Sequence, residues 1–221
     1  YAAAVMRENG FNVSLHDVQF SDGPGDILPA LNKTQPKYFV IYDDGFNYLT
    51  KMCLTNMREA SFKMIGFAKE RGCIVIVSSS DSTDRYEKYL DAGADFILIG
   101  EAEQTLLELI QSIEENKEDI ETISGLAFKK HEAYIKTTAR KVMRELDCLP
   151  LPAWDILDIT PYKKMWLQHA GFFSINIGTT RGCPFKCNWC AKPIYGNRYN
   201  ARSPKNVVNE IKYLDERFCV D

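Results

Sequence analysis

Three uninterrupted apolar runs constrain this chain more than any other feature: Tyr38-Phe39-Val40-Ile41-Tyr42, Cys73-Ile74-Val75-Ile76-Val77 and Phe96-Ile97-Leu98-Ile99. A run without polar alternation reads as a strand buried on both faces, and such strands belong to parallel sheets covered by helices above and below. The segments around them carry helical periodicity, over residues 49–71, 82–91 and 103–116. Strands alternating with helices imply βαβ crossovers. The expected fold is an open, parallel, doubly wound α/β sheet of the Rossmann or flavodoxin kind.

The flanking segments extend this frame. Residues 1–9 read as the tail of an amphipathic helix stopped at Asn9-Gly10. Residues 11–17 alternate apolar and polar side chains, which predicts another strand, and residues 26–33 predict a short helix. Residues 125–129 and 133–136 predict a hairpin that closes the domain near residue 137. Residues 138–170, with Pro150 and Pro152, read as a stiff linker. From residue 171 to 221 the pattern is one βα unit: a strand over 172–177, a cysteine-rich loop, and a helix over 204–217 capped by Ser203 with Pro204 in its first turn. A single βα unit cannot close a sheet or barrel alone. Tyr1 falls inside a helical pattern and residues 218–221 read as the start of a strand, so a longer protein is expected on both sides.

Composition narrows the class. The chain has 221 residues, 45% of them apolar and 26% charged, as in a globular protein with a sizeable core. There is no apolar run of about 18 residues and no signal peptide, so a cytoplasmic location without a membrane partner is expected. Seven cysteines, three clustered and four scattered, do not make a secreted disulfide framework. The net charge of −3 names neither nucleic acid nor membrane as a partner. From Thr179 onward, eight Lys and Arg face four acids, so that segment is +4 and the rest −7. A basic surround suits anionic ligands, although solvated surface charge is the commoner cause.

The three clustered cysteines are Cys183, Cys187 and Cys190, spaced C-x3-C-x2-C directly after an apolar strand. Thiolates that close together can converge on one metal centre. Iron–sulfur clusters are held by cysteine thiolates, usually four. Three protein ligands leave one iron open, which a reactive cluster needs and a purely electron-carrying one does not. Structural zinc prefers four ligands in paired spacings. Here the spare ligands Cys148, His169 and Cys219 show no such pairing. Arg181, Lys192, Arg198 and Arg202 surround the loop, and one of them could neutralise a carboxylate or the cluster. Trp189, between two of the cysteines, could stack on a purine or shield the cluster from water.

Ligands of open α/β sheets bind at the carboxyl ends of the strands. Three loops fall there: residues 43–47, the serine run 78–83, and residues 100–103. Ser79, Ser80, Gly100 and Glu101 are the candidate cofactor-binding residues among them, since hydroxyls and amides at a helix start suit polar groups. The plainer reading of the serines is a helix cap by Asp81 or Ser82. Glu101 and Glu103 read equally as favourable acids at a helix start. Cys53 and Cys73 read as core thiols.

The strand, the C-x3-C-x2-C loop and the aromatic before its last cysteine resemble the radical S-adenosylmethionine (radical SAM) enzymes. Upstream, residues 93–103, 125–127 and 149–154 are similar to the subgroup with an N-terminal cobalamin-binding domain. The resemblance implies that the second domain begins a partial TIM-type barrel. It implies that Cys183, Cys187 and Cys190 hold three irons of a 4Fe-4S cluster, with S-adenosylmethionine on the fourth and Trp189 near its adenine. It further implies reductive cleavage to a 5′-deoxyadenosyl radical, an external electron donor of flavodoxin or ferredoxin type, and a small-molecule substrate. Radical modification of RNA, as by methylthiotransferases, shares the architecture, with the +4 segment as its only support; a ligand-binding α/β protein with structural zinc is the alternative from another class. Cobalamin is the subgroup's further cofactor. Two departures bear on it: no Asp-x-His-x-x-Gly motif is visible, and Ser78-Ser79-Ser80-Asp81 stands where a glycine pair is usual. Without glycines the backbone cannot approach a ligand as closely.

Overall fold

The computed structural model describes residues 1–43, 53–117, 119–185, 187 and 195–220. In chain order its elements begin with α1 (Ala2–Glu8), α2 (Leu28–Thr34), β1 (Tyr38–Tyr42), α3 (Leu54–Lys69) and β2 (Ile74–Ser78). Next come α4 (Ser80–Asp84), α5 (Tyr86–Asp91), β3 (Phe96–Leu98), α6 (Glu103–Glu114), β4 (Leu126–Lys130) and β5 (Ala133–Lys136). The last are α7 (Thr160–Ala170), β6 (Thr180–Arg181), β7 (Asn200–Ala201) and α8 (Pro204–Phe218). They form two compact units, His16–Lys141 and Tyr1–Leu15 with Val142–Asp221. Among the described residues no helix is long and apolar enough to cross a membrane.

The first unit is built on a sheet ordered β1-β2-β3-β4-β5. Strands β1, β2 and β3 run parallel, with Val40 beside Ile76 and Val77 beside Ile97. The hairpin β4–β5 adds antiparallel, placing Phe96 opposite Phe128. The expected α/β fold with a closing hairpin is therefore present. Side chains alternate across a strand, so Val75, Val77 and Ile97 share one face, where they pack with Ile65 and Ala68 of α3 and Tyr89 and Leu90 of α5. Ile76 and Leu98 point the other way and are equally inaccessible to water. Two covered faces explain why these strands lack polar alternation. Cys73 lies in the first core as expected, its thiol donating to the Pro36 carbonyl at 3.1 Å and its pKa pushed up by burial.

Several expectations change. Strand β1 is only half-buried, with Tyr42 40% exposed, because it forms an edge among the described strands. Residues 11–17 and 172–177 form no ladder among the described residues, although both carry strand patterns. The single helix expected over 82–91 is broken at Arg85 (φ −130°, ψ 37°) into α4 and α5. Cys53 is exposed rather than a core thiol. The stretch expected as linker contains α7, started by Pro161 and ended by Gly171 in the left-handed region (φ 79°).

In the second unit, α1 buries Ala4, Val5 and Met6, and Leu146, Leu149, Phe173 and Leu214 are also buried. Arg7 pairs with Asp155 at 2.8 Å, and Lys163 donates to the Phe218 carbonyl at 2.9 Å near the end of α8. Ser203 caps α8 as expected, accepting from the Asn206 amide at 3.2 Å. Ile97 sits fully buried in the centre of the sheet. Ile97→Ala removes three carbons from a site flanked by strands on both sides, and is expected to cost about 2–5 kcal/mol. Urea denaturation measures this; a cost no larger than that of an exposed β5 substitution would contradict the packing described.

Candidate functional site

The carboxyl ends of β2 and β3 bring the serine run and Gly100 together: the Gly100 amide approaches the Thr83 hydroxyl at 3.4 Å. The serines, however, are turned inward. Ser79 is the N-cap of α4, its Oγ accepting from the Ser82 amide at 2.8 Å while Ser82 Oγ accepts from the Ser79 amide at 2.9 Å. This is a reciprocal capping box. Ser79 and Ser82 are buried, Ser80 is half-buried, and Glu101 is buried at the turn into α6. Gly100 has φ +81° and open space where a side chain would stand. Of the loop expected at residues 43–47, only Asp43 is among the described residues; its amide donates to the Ser78 carbonyl at 2.8 Å.

Asp81 carries more than the sequence suggests. Its carboxylate is almost fully buried, and Arg58 grips it with two bonds of 2.5 and 2.6 Å. Tyr89 donates a third bond at 2.9 Å. Burial alone would raise the Asp81 pKa; the bonds from Arg58 and Tyr89 outweigh it and hold the acid below its ordinary range. Tyr89 is pushed well above a normal phenol by the same burial and the neighbouring carboxylate. The pair Arg58–Asp81 is separated by 23 residues and has no local signature.

The cysteine loop is closed at its base by β6 and β7, where Thr180 pairs with Ala201 and Arg181 with Asn200. Gly182 has φ +84°, and a Cβ there would lie 2.0 Å from the Arg198 carbonyl oxygen. Only glycine fits. The Cys183 amide bonds the Gly196 carbonyl at 3.3 Å, and the Arg181 guanidinium lies 4.9 Å from the Tyr195 ring and 5.1 Å from that of Tyr1. Such cation–π contacts each contribute about 0.5–1 kcal/mol at accessible sites. Cys183 and Cys187 are exposed and outside any disulfide. Cys190, Trp189 and Lys192 lie outside the described residues.

Arg202, one of the four cations expected around the loop, does neutralise a carboxylate. It is buried against Glu210 of α8, their side chains 3% and 1% exposed. Trp154 Nε1 donates to the same carboxylate at 2.8 Å. Glu210 and Trp154 escaped the sequence reading of this site. Arg202 precedes α8, Glu210 lies within it and Trp154 is far upstream, so the periodicity of no single element links them.

No protein-family model matches the chain. Over 216 residues, 95% of its length, it is 32% identical to the anaerobic magnesium-protoporphyrin IX monomethyl ester cyclase of Synechocystis sp., of which it spans 40%. Its fold matches TsrM from Kitasatospora setae, a radical S-adenosylmethionine methyltransferase with cobalamin and a 4Fe-4S cluster bound, with a TM-score of 0.72. That match covers 98% of this chain and 44% of TsrM at 18% identity. A TM-score of 0.73 relates it to OxsB, a cobalamin-dependent S-adenosylmethionine radical enzyme with aqua-cobalamin bound, over all of this chain and 29% of OxsB at 18% identity. The chain therefore shares its fold with two solved radical S-adenosylmethionine enzymes and is similar along its length to part of the cyclase.

The donor set suits an iron–sulfur cluster: the two described thiols of the motif are accessible, outside any disulfide and set on a loop tied at both ends. The spare zinc ligands do not join them. Among the described residues no three His, Cys, Asp or Glu side chains come together as a metal site. The serine loop does not suit a cobalamin tail in the same way, because the hydroxyls of Ser79 and Ser82 are consumed by the cap and buried.

Asp81→Ala leaves the Arg58 guanidinium buried without its partner and is expected to cost about 3–5 kcal/mol at neutral pH. A depressed acid contributes stability above its unfolded pKa and loses it as pH falls through the folded value. The stability gap between wild type and variant should therefore narrow on acidification, as measured by urea denaturation; a gap independent of pH would refute the assignment. Gly182→Ala should loosen the base of the cysteine loop. Hydrogen exchange at residues 180–183 and 198–201 should accelerate, and unchanged protection would show that the close approach to Arg198 is not required.

Proposed function

We propose that the protein is a radical SAM enzyme in which Cys183, Cys187 and Cys190 hold a 4Fe-4S cluster. The observation that carries this reading is the cysteine loop itself: a C-x3-C-x2-C motif whose described thiols, Cys183 and Cys187, are accessible, on a loop whose base is pinned by β6–β7 and Gly182. A cluster held there would supply the single electron needed for reductive cleavage of the C5′–S bond of S-adenosylmethionine. The chain's own part is to present the thiolates at fixed spacing and leave one iron position open. Trp189, between two of the ligands, offers an aromatic surface to the adenine. Arg181, held between the rings of Tyr1 and Tyr195, keeps a positive charge at the loop entrance. The electron comes from an external donor of flavodoxin or ferredoxin type, and the substrate is a small molecule that the radical attacks in methyl transfer, cyclisation or a similar reaction. Cobalamin is left out of this reading because Ser79 and Ser82 are committed to the cap of α4.

Anaerobic reconstitution of the full-length protein with iron and sulfide should produce the broad visible absorbance of a cluster. Addition of S-adenosylmethionine and a reductant should then release 5′-deoxyadenosine. Simultaneous replacement of Cys183, Cys187 and Cys190 by Ala should abolish both. Stoichiometric zinc with no iron after anaerobic purification would defeat the proposal and favour a binding protein.

A further inference from the structure

We infer that Arg202 and Glu210 are positioning residues that lock the register of the cysteine loop, an inference resting on the reading that this loop holds a cluster. Arg202 stands one residue beyond β7, at the end of the returning strand. Its main-chain amide donates to the Thr179 carbonyl at 2.9 Å, and its guanidinium donates to the Gly178 carbonyl at 2.9 Å. Both bonds grip the outgoing strand just before β6. All three cysteines lie between the two points so joined. The Nη1 that bonds Gly178 also lies 3.0 Å from Tyr1 Oη and against the Glu210 carboxylate, while Nε donates to Asn206 Oδ1 at 2.6 Å. Glu210 is itself fixed by Trp154 Nε1. The clamp is thus seated on α8 rather than on the loop.

The need for a clamp follows from the ladder's length. β6 and β7 are two residues each, too short for side-chain patterning to specify register. A slip of one residue would move Cys183 along the returning strand by about 3.3 Å. Metal–ligand distances tolerate only about 0.2 Å. An apolar pair in place of Arg202 and Glu210 would keep the main-chain bond to Thr179 but lose the guanidinium bond to the Gly178 carbonyl, which exists in only one register.

Four variants of the full-length protein test this: Arg202→Met, Arg202→Lys, Glu210→Gln, and Leu214→Ala, which empties a buried position one turn further along α8 and removes none of the hydrogen bonds of Arg202. Each is reconstituted anaerobically, and iron retention against a chelator, the electron paramagnetic resonance of the reduced cluster and the thermal midpoint are recorded. Supporting residues of metal sites typically change affinity by about 10-fold or more; Arg202→Met and Glu210→Gln should lose cluster retention on that scale and show heterogeneous spectra. Arg202→Lys, keeping the charge and one donor, should fall between. Leu214→Ala should lower the thermal midpoint but retain wild-type loading. Wild-type retention in Arg202→Met, or loss of loading in Leu214→Ala in step with its midpoint, would overturn the inference. If the wild type assembles no cluster, the proposed function fails on its own. Hydrogen exchange at residues 180–183 and 198–201 then decides the register claim: faster exchange in Arg202→Met but not Leu214→Ala supports it, and equal exchange refutes it.

Discussion

A carboxylate taken out of water must be met by charge and hydrogen bonds, or the fold that buries it does not form. Both units of this chain are arranged around that constraint. In the first, Asp81 draws in Arg58 from α3 and the hydroxyl of Tyr89 from α5. In the second, Glu210 draws in Arg202 and the indole of Trp154. Each device joins an acid, a guanidinium and an aromatic donor, with Arg85 a second, more distant guanidinium 3.6 Å from Asp81. Each also lies beside a turn where ligand chemistry was expected, the end of β2 in one case and the cysteine loop in the other. Such pairs are weak evidence of net stability. What they supply is direction, since a guanidinium meets its partners in one geometry.

The apolar strands of the first unit were legible because two covered faces leave no room for polar alternation. The 38–42, 73–77 and 96–99 runs all became strands, and the hairpin after residue 125 followed. The alternation of residues 11–17 and the apolar stretch 172–177 were misleading for one shared reason. A pattern states which faces a strand could bury but not whether a neighbour is present to complete its ladder, and none is among the described residues. Helix α7 was overlooked through the opposite error. Pro150 and Pro152 weighted the whole stretch toward linker, although Pro161 at a helix start and Gly171 at its end are standard helix boundaries.

The candidate site divides along the same line. Cys183, Cys187 and Cys190 announce themselves because metal ligation needs short spacings, and short spacings survive in a linear reading. Arg202 was visible only as a nearby cation, because its partners are set by tertiary folding: Gly178 across the loop, Glu210 across the helix start and Tyr1 at the far end of the chain. The serine run shows the converse. Ser79 and Ser80 stood out as groups able to bind a polar ligand, with a helix cap by Asp81 or Ser82 as the competing account; the hydroxyl that caps α4 is that of Ser79. The structure has Ser79 and Ser82 serving each other.

That outcome separates two kinds of inheritance in one chain. The fold is shared with proteins that hold cobalamin, TsrM and OxsB among them, with TM-scores of 0.72 and 0.73. Fold similarity carries the frame of a site but not its chemistry, which depends on the side chains at the strand ends. A glycine pair would leave bare amides there for a ligand's polar groups to approach; a capping box turns amides and hydroxyls toward one another and closes that surface. In the cysteine loop the reverse holds. Gly182 is kept where a Cβ would strike the Arg198 carbonyl, and the thiols of Cys183 and Cys187 stay accessible. Local geometry therefore leaves the described thiols accessible in one loop and turns Ser79 and Ser82 inward in the other, which is why the proposed function rests on the cysteines and not on the sheet.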